Sequence, residues 1–208
     1  MKKNIAIGER MSGKKGILIV CGLEQETIGE LEDYQTLYTG VGKVNATYKL
    51  TEHFGTFDTK PAVRREYSLI INYGTAGSRR LPIGELVDCT KFIQRDMDCT
   101  AFGILKGQTP FEDTEIVLDS SSEFNPIGKH YTCGTGDNFV DKIEDEIEYV
   151  DVFDMEAYAL AKVCSYYYVP FISFKYITDN ANEHSPKDWE DNLADGIVEF
   201  KNRVLNIL

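Results

Sequence analysis

The sequence predicts an α/β protein: a three-layer α/β/α sandwich around a central mixed β-sheet. Apolar runs alternate with helical patterns from near residue 16 to residue 208. The runs are near-continuous, with little polar alternation, as strands read when helices cover both faces of their sheet. No internal repeat or low-complexity linker divides the chain. Its 208 residues therefore read as a single domain over 16–208, a length close to the ~100–200 residues usual for one. The polar residues 1–15 are expected to form a loose arm.

Taken in order, residues 16–22 (GILIVCG) form a glycine-bounded apolar run too short for a helix, hence a buried strand. Residues 42–54 read as a helix, and 66–77 as a second buried strand entering a glycine-rich turn. Residues 85–93 and 114–119 supply a third and a shorter fourth strand, with further candidates at 130–136 and 147–154. A helix is expected over 155–167, with Ala157, Leu160, Ala161 and Cys164 on one face. Residues 169–179 are the last strand and 189–205 a closing amphipathic helix.

Charge narrows the function. Twenty-two basic against 34 acidic residues give a net −12, a field that repels phosphate backbones and anionic lipid. Neither a nucleic-acid nor a membrane partner is expected. The apolar stretch at 17–23 is far too short to cross a bilayer, and no long apolar segment follows Lys2 and Lys3, so no secretory signal is expected. The five cysteines (Cys21, Cys89, Cys99, Cys133, Cys164) contain no CxxC pair, which argues against a disulfide framework or a cysteine-ligated zinc and fits a reducing cytoplasm. His53, His130 and His184 show no metal-ligand spacing, so neither metal nor organic cofactor is expected.

Several motifs read as ordinary structure. Residues 8–15 (GERMSGKK) approximate a phosphate loop but end in Lys15 where a hydroxyl belongs, and follow no apolar strand. The GVGK at 40–43 and the GTG at 134–136 read as tight turns, the acidic run 141–151 as a solvated face, and Tyr166, Tyr167 and Tyr168 as helix-end packing. More informative are the polar residues that follow apolar runs, because α/β proteins gather ligands at the carboxyl ends of their strands. CGLEQE, NYGTAG, FDMEA and YITDNAN bring Glu24, Glu26, Thr75, Glu156 and Asp179 to such ends. Carboxylates without histidine or a basic cluster suit a small molecule rich in hydroxyls or carrying a protonatable nitrogen.

The same segments, together with GVGKVNA, RDMDCTAFGILKGQTP and GTGDNFV, occur in an order that resembles the purine nucleoside phosphorylase/uridine phosphorylase superfamily. Within it they look most like the 5′-methylthioadenosine/S-adenosylhomocysteine nucleosidases. The resemblance implies hydrolysis of an N-glycosidic bond, release of adenine, no cofactor and a homodimer. It makes Asp179 the acid at the purine N7 and Glu26 the carboxylate that activates water. Glu156 would bind the ribose hydroxyls beside Met155, Phe139 would stack on the base, and Val140 would bond its edge through the backbone. Thr75, Ala76 and Gly77 would floor the site. Leu23, Val41, Phe102 and Pro110 would form the apolar 5′ pocket, the last two entering from the partner subunit, with Trp189 as an aromatic lid. Three departures touch substrate preference: Thr178 in place of serine, Asn182 in place of an acid, and the bulky Tyr73.

Two rivals remain at this point. A phosphorylase of the superfamily carries a GDPxR-like turn after the first strand. Here that turn reads Gly22-Leu23-Glu24-Gln25-Glu26, which would repel a phosphate dianion, and Arg79 and Arg80 are expected to face solvent. A catalytically silent nucleoside-binding protein would have no need of Glu26. Among hydrolysis substrates, a 5′-alkylthio nucleoside fits the apolar side best, and aminodeoxyfutalosine stays open.

Overall fold

The computed structural model describes residues 16–55, 59–113, 115–120, 122–142 and 149–208. Strand β1 (Ile17–Cys21) lies parallel to β2 (Thr36–Tyr38) on one side and to β3 (Leu69–Gly77) on the other. On its other side β3 pairs with β8 (Phe171–Asp179), also parallel. The direction reverses at β4 (Leu86–Gln94), which runs antiparallel to β8 and, farther along the same flank, carries the short antiparallel β5 (Leu118–Asp119). Strands β6 (Tyr131–Thr135) and β7 (Val152–Asp154) follow β4 in parallel. Strand β7 then meets β3 at the pair Gly77–Phe153, so β3, β8, β4, β6 and β7 close into a ring. That closure brings the carboxyl ends of strands running in opposite directions to one place.

Side-chain alternation distributes each strand between two cores. Leu18, Val20, Ile70, Phe171 and Ile177 face one core, which is covered by α1 (Lys43–Phe54), α2 (Lys60–Glu66) and α3 (Ala157–Tyr167). Ile19, Cys21, Ile71, Tyr73 and Phe174 face the other, which is covered by α5 (Gly196–Arg203). Helix α4 (Ser185–Asn192) precedes α5 beside the end of β8. The helix ends have local causes. The Thr59 hydroxyl caps α2 by accepting from the Ala62 amide at 3.3 Å. Helix α3 stops where Tyr168 adopts a left-handed φ of 59°.

The expected closing helix over 189–205 is corrected to two helices. The chain turns between α4 and α5 because Gly196 sits directly on the Tyr176 ring, where a Cβ would come within 2.3 Å of it. The strand expected over 114–119 contracts to Leu118–Asp119, and the one over 147–154 to Val152–Asp154 among the described residues. Strand β2 and helix α2, both short, carry too little apolar period to announce themselves. The proposed arm at 1–15, with its phosphate-loop-like segment, lies outside the described residues, as does 143–148 of the acidic run. Among the described residues no helix is long and apolar enough to cross a membrane.

Candidate active site

A cavity of about 250 Å³ opens where the strand ends converge. The turn after β1 contributes Leu23 and Glu26, the turn before α1 contributes Val41, and the end of β3 contributes Thr75, Ala76 and Gly77. Phe139 and Val140 enter after β6, Met155 and Glu156 after β7, Asp179 from β8 and Trp189 from α4. Phe102 and Pro110 do not line the cavity of their own chain, and Phe102 is 84% exposed.

Glu26 reaches the cavity because a short helical turn, Glu24–Glu26, folds it back over the end of β1, while Glu24 stays exposed. Only 5% exposed, Glu26 accepts at Oε2 from the Leu23 amide (3.0 Å) and at Oε1 from the Thr75 amide and hydroxyl (both 2.8 Å). Two bare glycines make room for it: a Cβ on Gly22 would stand 3.4 Å from Oε2, and one on Gly74 would stand 3.3 Å from Oε1.

Asp179 is 2% exposed, with Oδ1 accepting from the Ala181 amide at 2.9 Å and Oδ2 from the Thr178 hydroxyl at 3.0 Å. A side chain on Gly77 would come 2.6 Å from Oδ1, so that glycine is what lets the aspartate in. Thr178 thus supplies the hydroxyl beside the acid, whereas Asn182 turns away to accept from the His184 amide at 2.9 Å. Tyr73 points into the second core and stacks on Phe200 at 4.4 Å, so its bulk does not narrow the cavity.

Glu156 accepts from the Gly42 amide at 2.8 Å, at the start of α1, where free N–H groups and the helix dipole favour an anion. Gly42 holds a φ of 95°, and a Cβ there would press on Asp137 at 3.1 Å, which explains the GVGK turn. Burial and the neighbouring Asp154 carboxylate push the Glu156 carboxyl up to about 8, against the pull of Lys175 and the Gly42 amide.

Four cavity-lining side chains escaped the sequence reading: Arg95, Asn138, Phe153 and Asp154. Asp154 pairs with Lys175 at 2.8 Å, both side chains 1% exposed. Gly134 lies inside β6, not in the expected turn, and is kept bare chiefly by Val150. Arg95 lies over Gly136, just past the end of β6, and that glycine is bare for this reason: a Cβ there would be 2.7 Å from the guanidinium carbon. Its Nη1 donates to Asn138 Oδ1 at 3.0 Å and its Nη2 to the Asn138 carbonyl. The signal for both cations was a basic residue inside or ending an otherwise apolar run, Lys175 in FISFKYITD and Arg95 after KFIQ. Arg79, expected to face solvent, instead folds over the Phe153 ring (5.6 Å to the centroid), donating to the Ala181 and Lys142 carbonyls. Arg80 pairs with Asp151 at 3.4 Å. Asp151 also accepts from the Thr132 amide at 2.9 Å, so the described end of the acidic run is not a plain solvated face. Among the described residues no group of three histidine, cysteine, aspartate or glutamate side chains is disposed to hold a metal ion.

The family model described as the phosphorylase superfamily matches residues 27–208. A 5′-methylthioadenosine/S-adenosylhomocysteine nucleosidase of Bacillus velezensis is 31% identical over 202 residues, covering 88% of this chain and 84% of its own. The chain belongs to the phosphorylase superfamily, among these nucleosidases. The corresponding Marinomonas sp. nucleosidase is 30% identical over 182 residues, covering 79% of this chain and 75% of its own. A Helicobacter pylori nucleosidase with 5′-methylthioadenosine in its active site shares the superfamily fold at a TM-score of 0.79 and 21% identity, covering 94% of this chain and 100% of that one. A futalosine hydrolase mutant from the same organism does so at 0.80 and 21%, with the same coverage.

Proposed function

We propose that this nucleosidase-family chain hydrolyses the N-glycosidic bond of 5′-methylthioadenosine- and S-adenosylhomocysteine-type adenine nucleosides. The observation that carries the reading is Glu26: a buried carboxylate, anchored by three donors, occupies the turn where phosphorolysis would need a cation. Water activated by Glu26 attacks C1′ while the C1′–N9 bond breaks. The electron pair goes to the base, Asp179 delivers a proton to N7, and the proton lost by water passes to Glu26. The positive charge developing on the sugar is favoured by the surrounding carboxylates. Glu156 and Met155 hold the ribose, Phe139 stacks on the base, Val140 bonds its edge, and Thr75, Ala76 and Gly77 form the floor.

Leu23 and Val41 make the 5′ side apolar, which suits an alkylthio group. A homodimer fits the exposed Phe102 and Leu105 and the broad groove between α1 and α3, which exposes Val44 and Tyr48 beside the cavity lip. In that dimer Phe102 of the partner subunit and Pro110 of the partner subunit complete the 5′ pocket. The chain works without cofactor, and its free cysteines and charge suit a cytoplasmic enzyme.

The decisive measurement is adenine release from methylthioadenosine, S-adenosylhomocysteine, adenosine and inosine, with and without phosphate. Phosphate-independent release of adenine and free ribose sugar is expected. Strict phosphate dependence with ribose-1-phosphate formation refutes hydrolysis, and tight binding without release points to a silent binder. Asp179→Asn and Glu26→Gln should each lose about 10²–10⁴-fold in kcat while the fold and nucleoside binding survive.

A further inference from the structure

We infer that Trp189 is a positioning residue for the water-activating carboxylate, acting through a directed hydrogen-bond chain from Trp189 to Thr75 to Glu26. The inference rests on the hydrolytic reading above and goes beyond the lid role expected of Trp189. Its indole Nε1 lies 3.0 Å from the Thr75 hydroxyl oxygen, and that oxygen lies 2.8 Å from Glu26 Oε1. An indole N–H can only donate, so the Thr75 oxygen must accept from it. The single hydroxyl proton of Thr75 is then left for Glu26. The chain has one direction, and the tryptophan fixes the threonine rotor.

The consequence falls on Glu26. A carboxylate offers about four acceptor sites, two on each oxygen. Among the described residues Oε1 takes two donors, the Thr75 amide and hydroxyl, and Oε2 takes one, the Leu23 amide. The remaining acceptor site is on Oε2. It opens toward the space that Gly22 leaves bare, where a Cβ would lie 3.4 Å from Glu26 Oε2 and 3.9 Å from Glu156 Oε2. Water accepted there sits between the two carboxylates, on the side where Glu156 would hold the sugar. The indole N–H keeps Oε1 saturated and so keeps the water on Oε2.

The lid helix is tied to the same machinery at its far end, because Asn192 Nδ2 donates to the Thr178 carbonyl at 3.0 Å, one residue before Asp179. Seating α4 therefore sets the orientation of the base and braces the strand that carries the acid. A phenylalanine at 189 could cover the cavity but could not do this.

Trp189→Phe keeps an aromatic cover and deletes only the donor. Its kcat for methylthioadenosine should fall about tenfold with KM held within about twofold. Thr75→Val should lose at least as much and Thr75→Ser should restore turnover. The Trp189→Phe/Thr75→Val pair should lose no more than Thr75→Val alone, since both cut one chain. Equal kcat in Trp189→Phe, a change confined to KM, or additive losses in the pair would overturn the inference. A second readout needs no turnover. Trp189 is the sole tryptophan, so its indole N–H resonance is unambiguous. Glu26→Gln should move that resonance when Thr75 is present and leave it in place in Thr75→Val. Indifference in both backgrounds refutes the chain. If the wild type releases no adenine, the hydrolytic reading fails, and the resonance still decides whether the chain exists.

Discussion

Asp154 and Glu156 stand two residues apart at the end of the same strand, line the same cavity and carry the same chemical group, yet their environments drive them in opposite directions. Burial acts to raise both. At Asp154 the Lys175 ammonium at 2.8 Å, the Thr135 hydroxyl at 2.5 Å and the Ala157 amide at 2.8 Å outweigh it and hold the carboxyl below its ordinary value. At Glu156 one amide donor remains, and the charge on Asp154 adds to burial, so its carboxyl rises to about 8. The buried lysine serves Asp154 first. Burial works against the charge of Lys175 too, and the Asp154 carboxylate more than offsets this. The difference teaches a division of labour. Asp154 is saturated and fixes the backbone at the start of α3, while Glu156 keeps unused acceptor capacity facing the cavity. A group meant to meet a ligand has to be left underpaired.

The comparison breaks most violently at Lys175. Lys175→Met leaves the Asp154 charge buried without its cation, a loss of about 3–5 kcal/mol in folding stability. It also removes the cation that restrains the rise at Glu156. Urea denaturation should show the loss, and Lys175→Met/Asp154→Asn should recover much of it. A single variant within about 1 kcal/mol of wild type would mean that the pair does not organise this end of the sheet.

How far this was legible from the chain differs by residue. Strands β1, β3, β4 and β8 are glycine- or polar-bounded apolar runs, and the polar residues ending them (Glu26, Thr75, Asp179) do line one cavity. Asp154 was missed because its role depends on a lysine 21 positions later in an interior strand, a pairing created only when β7 and β8 both line up on β3. Arg95 was missed for a related reason. It acts by lying over Gly136, just beyond the neighbouring β6, so the glycine read as part of a turn and the arginine as a strand end. Arg79 was misread because a basic pair after a turn normally meets water, whereas here the Phe153 ring lies within its reach. Local pattern reports where the chain stops being apolar. It does not report which strand lies alongside.

The two carboxylates should also separate in their pH dependence, an intermediate effect. With its folded value near 8 against an ordinary 4.5, Glu156 keeps a proton in the native state that the unfolded chain has released. Its contribution to stability is therefore complete below about pH 4.5 and falls as pH rises toward 8. The slope is at most about 1.4 kcal/mol per pH unit, reduced by the solvent that reaches the cleft. Asp154 has the opposite sign in another window. Its stabilisation is present above its ordinary 3.8 and is lost as pH falls through its lowered folded value. Glu156→Gln should flatten the neutral limb of the stability profile and leave the acid limb intact. A neutral limb unchanged in that variant would place both carboxylates in one regime and end the contrast.

The smallest effect belongs to Thr135. Its hydroxyl donates to Asp154 Oδ1 at 2.5 Å and accepts from the Tyr158 amide at 2.9 Å, so one oxygen joins the paired carboxylate to the first turn of α3. Thr135→Val keeps the shape and β-branching but strands the Tyr158 amide in a buried position and removes one of the donors of Asp154. The cost should be about 1–3 kcal/mol in stability, and less than that of Lys175→Met because the cation remains. Thr135→Ser should recover most of it, since the bonding atom returns and only a methyl group is lost. The variant should leave Glu156 near wild type in its pH profile, because Thr135 reaches Glu156 only by way of Asp154, which Lys175 still holds ionised. A valine substitution that shifted the neutral limb would mean that the two carboxylates communicate through backbone position as well as through charge.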